Sequence, residues 1–432
     1  MLYLIIFFTL EALHRFTKLR TALGSSTFYA ISRQRVNTSM QLWKRSLPAV
    51  KPFYAVKCNP DPNLIRWLAE EGAGFDCASV NEVRIVKSVN RDADIVFANP
   101  CKSGDEIVEK VEAGIQTTVI DSTEELDKLK RYGWPSAKGP DASQAKGPDA
   151  SQARQALVRI RVEDKGSLMR FSAKFGLEPE DLPALARYAK AGGHRLSGIS
   201  FHVGSGCKDP QQFKVAIEQA YAGIKTLTEA GHYATIIDIG GGFMSGPLFH
   251  QTTNAITPLL HNIQGIHKSI QFIGEPGRFF AASSHDLFVR VIGKKSAGKG
   301  LAGWRYTLDE SLYGQFSCIP FDHARPRWIR VRGPGEAKRR STPAVLYGRT
   351  CDSLDFIAAS ASTEELEEGD WLWFPHMGAY TTATSTEFNG FPKPPSLVLG
   401  DAKEVALPDP EAFPEADWPS GLKYVSAAEV PS

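Results

Sequence analysis

The segment KPFYAVKCNP, residues 51–60, decides the fold. Phe53, Tyr54, Ala55 and Val56 form an unbroken apolar row, which stops at Lys57. A strand with one wet face alternates apolar and polar residues. A strand covered on both faces does not, and reads as a continuous apolar run. The same form recurs at Gly74–Ala78, Ile95–Asn99, Thr117–Asp121, Leu157–Val162, Leu196–His202, Thr235–Gly240 and Ile270–Glu275. With Phe53–Lys57 these make eight runs, all but Leu157–Val162 ending in a polar or small residue. Stretches of helical spacing separate them, such as Leu64–Glu71, Glu106–Ala113, Leu182–Ala191 and Phe213–Ala230. Buried strands alternating with helices predict a parallel sheet. Eight such units predict an α/β chain built on a (β/α)8 TIM-like barrel, whose chemistry lies at the C-terminal ends of the strands.

Beyond about Ala281 the texture changes. Short β-rich runs at Leu287–Ile292, Trp328–Val331, Trp371–Phe374 and Leu397–Leu399 stand between Gly and Pro punctuation. They predict a second, mostly β domain. The expected organisation is an N-terminal segment over 1–32 that joins the β domain, a barrel over 33–280, a β domain over 281–408 and a poorly ordered tail over 409–432. Within the barrel, residues 132–155 carry a duplication: AKGPDASQ at Ala137–Gln144 recurs at Ala145–Gln152. Its Gly, Pro, Asp and Ser content predicts a flexible insertion. Two short copies do not make a solenoid.

The 432 residues suit two domains better than one core. The net charge of +2 and the lack of a basic, aromatic-rich patch exclude nucleic acid as an expected partner. Six scattered cysteines form no C-x-x-C pair, so neither a disulfide framework nor a metal site is expected. The apolar run Met1–Leu10 is too short to span a bilayer. No basic residue precedes it and no convincing cleavage site follows it, so a cytoplasmic protein without a membrane role is expected. A buried strand or a misassigned start would equally produce that run.

Lysine at the end of a buried strand must be solvated, paired or covalently used. Lys57 alone reads equally as a snorkelling surface residue or as an amine that forms a Schiff base. DIGGGF places Gly240, Gly241 and Gly242 after a strand, where bare backbone N–H groups can approach an anion. It is also compatible with a mere tight turn. EPGR sets Glu275, Gly277 and Arg278 at the end of the last barrel run. A carboxylate and a guanidinium there suit a heteroaromatic nitrogen and a phosphate, or else a structural ion pair. SFHVGSG supplies His202 and Ser205, the histidine being a base, a flat stacking partner or a satisfied buried residue.

Taken together these motifs resemble the eukaryotic ornithine decarboxylase family of the alanine-racemase-like barrel class. FYAVKCN, GFDCAS, ANPCK, SFHVGSG, DIGGGF, EPGR, FDHA, CDSLD, MGAY and FNGF occur in the family's order, from roughly Thr27 to Pro394. The resemblance implies a pyridoxal 5'-phosphate enzyme in which Lys57 is the Schiff-base lysine. It implies that His202 stacks on the pyridine ring and that Glu275 pairs with its nitrogen. Ser205, Gly242, Arg278 and Tyr380 match phosphate contacts, with Gly241 and Gly277 shaping their loops. Asp76, Glu82 and Arg159 match residues around the lysine and ring. Cys351 matches the residue that reprotonates the substrate carbon, and Asp322 and Asp352 match the acids that bind a distal ammonium. Phe321 and Phe388 fall in the substrate-binding segments FDHA and FNGF. The family places Cys351 and Asp352 in the other subunit's site, so a homodimer is implied.

The implied reaction is decarboxylation of a basic amino acid, L-ornithine to putrescine in polyamine biosynthesis. Glu275 argues against an alanine racemase, which places arginine at the pyridine nitrogen. Asp352 argues against a diaminopimelate decarboxylase, which carries Glu after the equivalent cysteine. Departures at Phe321, Phe279 and Phe280, where family members often carry Tyr, motivate a second reading: the same chemistry on a modified ornithine-like amino acid in alkaloid metabolism. An inactive regulator resembling the antizyme inhibitors is a third. The duplicated insertion falls where some relatives bind antizyme, which argues against that partner.

Overall fold

The computed structural model describes residues 26–134, 154–298, 302–332 and 336–399. The chain divides into two compact units, Asn37–Phe280 and a unit formed by the residues up to Val36 together with those from Ala281 onward. The apolar N-terminal run, the AKGPDASQ repeat and the segment 409–432 lie outside the described residues.

The first unit is a closed barrel of eight parallel strands. They are β1 Val50–Ala55, β2 Gly74–Cys77, β3 Ile95–Phe97, β4 Thr117–Ile120, β5 Gln155–Arg159, β6 Leu196–Ser200, β7 Ile236–Asp238 and β8 Gln271–Gly274. Each pairs with its sequence neighbour, and β8 closes on β1 through Phe272–Val50, Ile273–Lys51 and Gly274–Pro52. Phe53, Val96, Val119, Leu157 and Ile273 fill the interior as one apolar cluster. Room for the Phe53 ring comes from Gly74 on the adjacent strand, where a Cβ would stand 2.5 Å from that ring. The polar residues that end the sequence runs fall just beyond the strands. Helices such as Pro62–Glu70, Gly104–Glu112 and Pro210–Glu229 cover the outside. Asp61 starts the first by accepting from the Asn63 and Leu64 N–H groups, and Ser103 with Glu106 forms a capping box on the second.

Two expectations need correction. The insertion starts later and ends earlier than 132–155. Trp134 closes the turn after helix Thr123–Arg131 and is 4 % exposed, and Gln155 already opens β5. Phe279 and Phe280 do not line a pocket. Both are buried in an aromatic cluster with Trp43, Phe249 and Phe243, at centroid distances of 4.3–6.4 Å. A hydroxyl there would need a partner in an apolar setting, so phenylalanine is what that position asks for.

Lys110 on helix Gly104–Glu112 is fully buried. Its Nζ donates to Thr118 Oγ1 at 3.1 Å and lies 4.3 Å from the Trp134 ring centroid and 5.1 Å from that of Phe97. Burial, reinforced by the Lys102 charge, pushes its pKa down to about 6. In the unfolded chain the amine keeps its proton to about pH 10. Between those pH values the unfolded state holds more protons, so stability rises with pH across the window. Lys110→Met should therefore stabilise the protein at pH 7 by about 1–3 kcal/mol. Denaturant titrations at pH 7 and pH 10 check this, and the gain should shrink at pH 10.

The second unit is an eight-stranded sheet. Its main path runs Ile329–Val331, Trp371–Phe374, His285–Ser296, Trp304–Leu308, Ser341–Tyr347 and Phe356–Glu364. Phe28–Ser32 joins it, antiparallel to His285–Ser296 and parallel to Ser396–Leu399. Arg330, with a 1 % exposed side chain, is held by Glu364 at 2.7 Å and Glu336 at 2.6 Å, so its buried charge is paired.

Candidate active site

The barrel unit gathers one group of candidate residues at the C-terminal ends of its strands. Lys57 lies in a single 3-10 turn directly after β1, and its Nζ donates to Asp76 Oδ2 at 2.9 Å. Asp76 is the last but one residue of β2, is 1 % exposed, and its Oδ1 has no hydrogen-bond partner. Glu82 accepts from the Ala78 N–H at 2.6 Å, and burial raises its pKa. Arg159, the last residue of β5, has its guanidinium 5.2 Å from the Phe175 ring centroid. Burial lowers its pKa, against the pull of Glu275, Asp121, Asp238 and Asp76.

His202 follows β6. Its Nδ1 accepts from the Gly204 N–H at 2.9 Å, which leaves the proton of a neutral ring on Nε2. Burial, then the charges of Arg159 and Lys57, hold its pKa well below the usual histidine range. A neutral ring with one nitrogen already engaged suits a flat packing partner better than a base. Phe171 packs on it, 4.9 Å between centroids.

The glycines are fixed by close approach. A Cβ at Gly240 would stand 2.1 Å from the Phe201 carbonyl oxygen, and Gly240 has φ 63°. A Cβ at Gly241 would stand 2.7 Å from the Glu275 carbonyl oxygen and 2.9 Å from His202 Nε2. Gly242, at φ 99°, meets the Gly204 carbonyl oxygen at 2.5 Å in the same way. Arg278 Nη2 donates to Ser205 Oγ at 3.2 Å, and Gly277 gives Cys58 its room. Glu275 follows β8, is 6 % exposed, and has an Oε1 without a partner. Burial raises its pKa well above the carboxylate range, helped by Asp238 and Asp76.

The β unit holds the remaining candidates. Cys351 is exposed, and its N–H donates to Asn389 Oδ1 at 3.1 Å. Asp352 accepts from the Leu354 N–H at 2.9 Å and from the Tyr313 hydroxyl. These two bonds, in that order, lower its pKa, and the same contact pushes Tyr313 up to about 12. The Tyr313 ring lies 4.5 Å from that of Phe388, so Cys351, Asp352 and Phe388 are drawn together. Phe321 and the buried Asp322 lie apart from them in sequence, on helix Cys318–Asp322. Tyr380 adopts φ 55°.

Sequence reasoning did not find Asp238, Phe171, Tyr313 or Asn389. Asp238 carried a signal, since a carboxylate ending an apolar strand beside a glycine run must be buried with partners. Left-handed backbone is a second signal. Among the described residues four non-glycines have φ near 55°: His323, His376, Tyr380 and Asn389. Tyr380 is itself a candidate, His323 follows Asp322, and Asn389 holds Cys351. Such strain gathers at functional loops.

The barrel group fits a phosphorylated pyridine carbonyl compound. Lys57 supplies an amine, the glycine turn and the Ser205–Arg278 pair supply anion contacts, and the open oxygens of Glu275 and Asp76 lack a donor. The space that a Cβ at Gly241 would fill lies against His202 and Glu275. The comparisons agree. Residues 33–282 match the family model for the pyridoxal-binding domain of pyridoxal-dependent decarboxylases. An ornithine decarboxylase of Panagrellus redivivus is 35 % identical over 401 residues, 88 % of each chain. Antizyme inhibitor 2 of Xenopus laevis is 37 % identical over 365 residues, 81 % of this chain and 76 % of that one. The crystal structure of the arginine decarboxylase of Paramecium bursaria Chlorella virus, bound to agmatine, superposes with a TM-score of 0.80 at 31 % identity, covering 89 % of this chain and all of that one. The chain therefore belongs to the ornithine decarboxylase family of pyridoxal-phosphate-dependent amino-acid decarboxylases.

Proposed function

We propose that the chain decarboxylates L-ornithine, releasing putrescine. The observation that supports this most is the pairing on one loop of a thiol, Cys351, with a carboxylate held ionised, Asp352. A thiol can return a proton to carbon. An adjacent anion selects a substrate with a cationic tail.

Pyridoxal phosphate supplies an electron sink that takes up the pair left when carbon dioxide departs. Lys57 holds the cofactor's carbonyl carbon, and Asp76 holds the Lys57 amine. Ser205, Arg278 and the N–H groups of the Gly240–Gly242 turn would bind the phosphate. His202 packs flat against the ring. Glu275 keeps a proton on the ring nitrogen. Asp322 and Asp352 bind the distal ammonium, Phe321 and Phe388 bound the same end, and Cys351 delivers a proton to the substrate carbon.

The enzyme acts as a homodimer, with Cys351 and Asp352 serving the cofactor of the other copy. The exposure of Cys351, and of Phe388 beside it at 42 %, supports this, since a second copy would cover them.

The test is carbon dioxide release by the holoenzyme from L-ornithine, L-lysine and L-arginine. Release from lysine or arginine in preference to ornithine would overturn the substrate. Asp352→Asn should lower kcat/KM for ornithine about 100-fold, mostly through KM, because a charged contact of a few kcal/mol is lost. A modified ornithine-like substrate remains the second reading. Phe321 alone now favours it, since Phe279 and Phe280 are core residues.

A further inference from the structure

Asp238 ends β7 and is completely buried. One oxygen accepts from the Gly240 N–H at 2.9 Å and the other from the Ser200 hydroxyl at 3.2 Å. Its charge raises the pKa of the Glu275 carboxyl, after burial, which is the larger cause. Two neighbouring buried carboxyl groups do not both ionise readily, so such a pair tends to retain a proton on one member. The donors decide which one. Asp238 already has two, which favour its ionised form, while Glu275 Oε1 has none. The donors therefore favour the proton on Glu275 and the charge on Asp238, although burial raises the Asp238 pKa too, to about 6. The backbone supplies a link, because the Glu275 N–H donates to the Gly240 carbonyl oxygen at 2.7 Å.

We propose that Asp238 is a positioning residue for the cofactor ring: a buried carboxylate that ties Glu275 to the phosphate-binding turn and keeps a proton at the contact between Glu275 and the ring nitrogen. The inference rests on the reading of Glu275 as that nitrogen's partner. With the cofactor bound, Glu275 would be the residue that shares a proton with the ring nitrogen, and Asp238 would stand as a second acid behind it. That arrangement favours the protonated ring. The other charged groups facing the pair are Lys57 after β1, Asp76 on β2 and Arg159 on β5, with His202 after β6 beside Arg159 and Lys57. The two cations Lys57 and Arg159 oppose the effect and Asp76 reinforces it. The burial-raised pKa of Glu275 agrees in direction.

The test uses holoenzyme carrying pyridoxal phosphate labelled with 15N in the ring. The chemical shift of that nitrogen is followed against pH, beside the cofactor dissociation constant and steady-state kinetics. In Asp238→Asn the shape is kept, but the charge behind Glu275 is lost, which lowers its basicity. The ring nitrogen should lose its proton about one pH unit earlier, cofactor affinity should fall about 10-fold, and kcat should fall about 10- to 100-fold with KM nearly unchanged. Ser200→Ala removes only a hydroxyl dipole that quiets the Asp238 charge, so it should move the nitrogen's titration the other way, by less. It also serves if Asp238→Asn folds poorly. An unmoved nitrogen titration in both variants overturns the proposal, whatever happens to activity. Glu275→Gln separates the two levels: if it too leaves the nitrogen unmoved, the reading of Glu275 is wrong; if it alone moves the nitrogen, only the role of Asp238 is.

Discussion

Lys57→Ala is expected to lower the decarboxylation rate by about 1,000-fold or more and to remove the absorbance band of lysine-bound cofactor. The amine is the one lysine nitrogen that the barrel sets against Asp76, at the mouth end of β1. Asp76 is almost fully buried and has an oxygen to spare, so removing the amine leaves a buried carboxylate with two unpaired oxygens. That carries a structural cost of its own, of the order of 1–3 kcal/mol. Lys57→Arg separates the effects. It keeps a cation beside Asp76 but cannot form the covalent link, so stability should recover while activity does not. Thermal melts read the first, and carbon dioxide release with the visible spectrum reads the second. A Lys57→Ala protein that kept the band and a tenth of the rate would sink the assignment.

Cys351→Ala is expected to cost about 100- to 10,000-fold in putrescine formation, the range for losing a positioned proton donor. The more decisive result comes from mixing. If Cys351 serves the other copy's cofactor, a Lys57→Ala chain and a Cys351→Ala chain complement each other. With equal amounts and free exchange, half of the dimers are mixed and each mixed dimer has one intact site. About a quarter of wild-type activity should return. Mixtures shown to exchange subunits, yet still inactive, would place Cys351 in the site of its own chain.

The barrel was legible because it is written in a redundant code. Most strand residues are buried, so the runs are largely apolar and end where the chain re-enters polar surroundings. The boundaries shift by at most three residues, as at Leu157–Val162 against Gln155–Arg159. Strands of the other unit were harder. Phe356–Glu364 reads FIAASASTE, and its small residues have weak β preference. It is a strand because it pairs along Ser341–Tyr347. Helix Thr123–Arg131 shows only two apolar residues, Leu126 and Leu129, too few for a visible period. The site divides the same way. Most candidate residues lay within named motifs, but Tyr313 outside them and Asn389 inside FNGF were missed, because each meets its partner across nearly forty residues of chain. Phe279 and Phe280 were misplaced for the converse reason: nearness to EPGR in sequence says nothing about which way a ring points.

The candidate residues fall into two sets, and each set belongs to a compact unit with a core of its own. The barrel set sits at strand ends, and in its Gly240–Gly242 turn an added Cβ would collide with backbone. Those assigned to the substrate's far end, Phe321, Asp322, Asp352 and Phe388, sit on a short helix and loops of the other unit. Selection can therefore rewrite what the enzyme accepts while leaving its reaction untouched. Substrate range becomes a cheap trait to evolve and cofactor chemistry an expensive one. Directed evolution toward new amines would do best confined to the loops around Phe321, Asp352 and Phe388, with the glycine turn held constant.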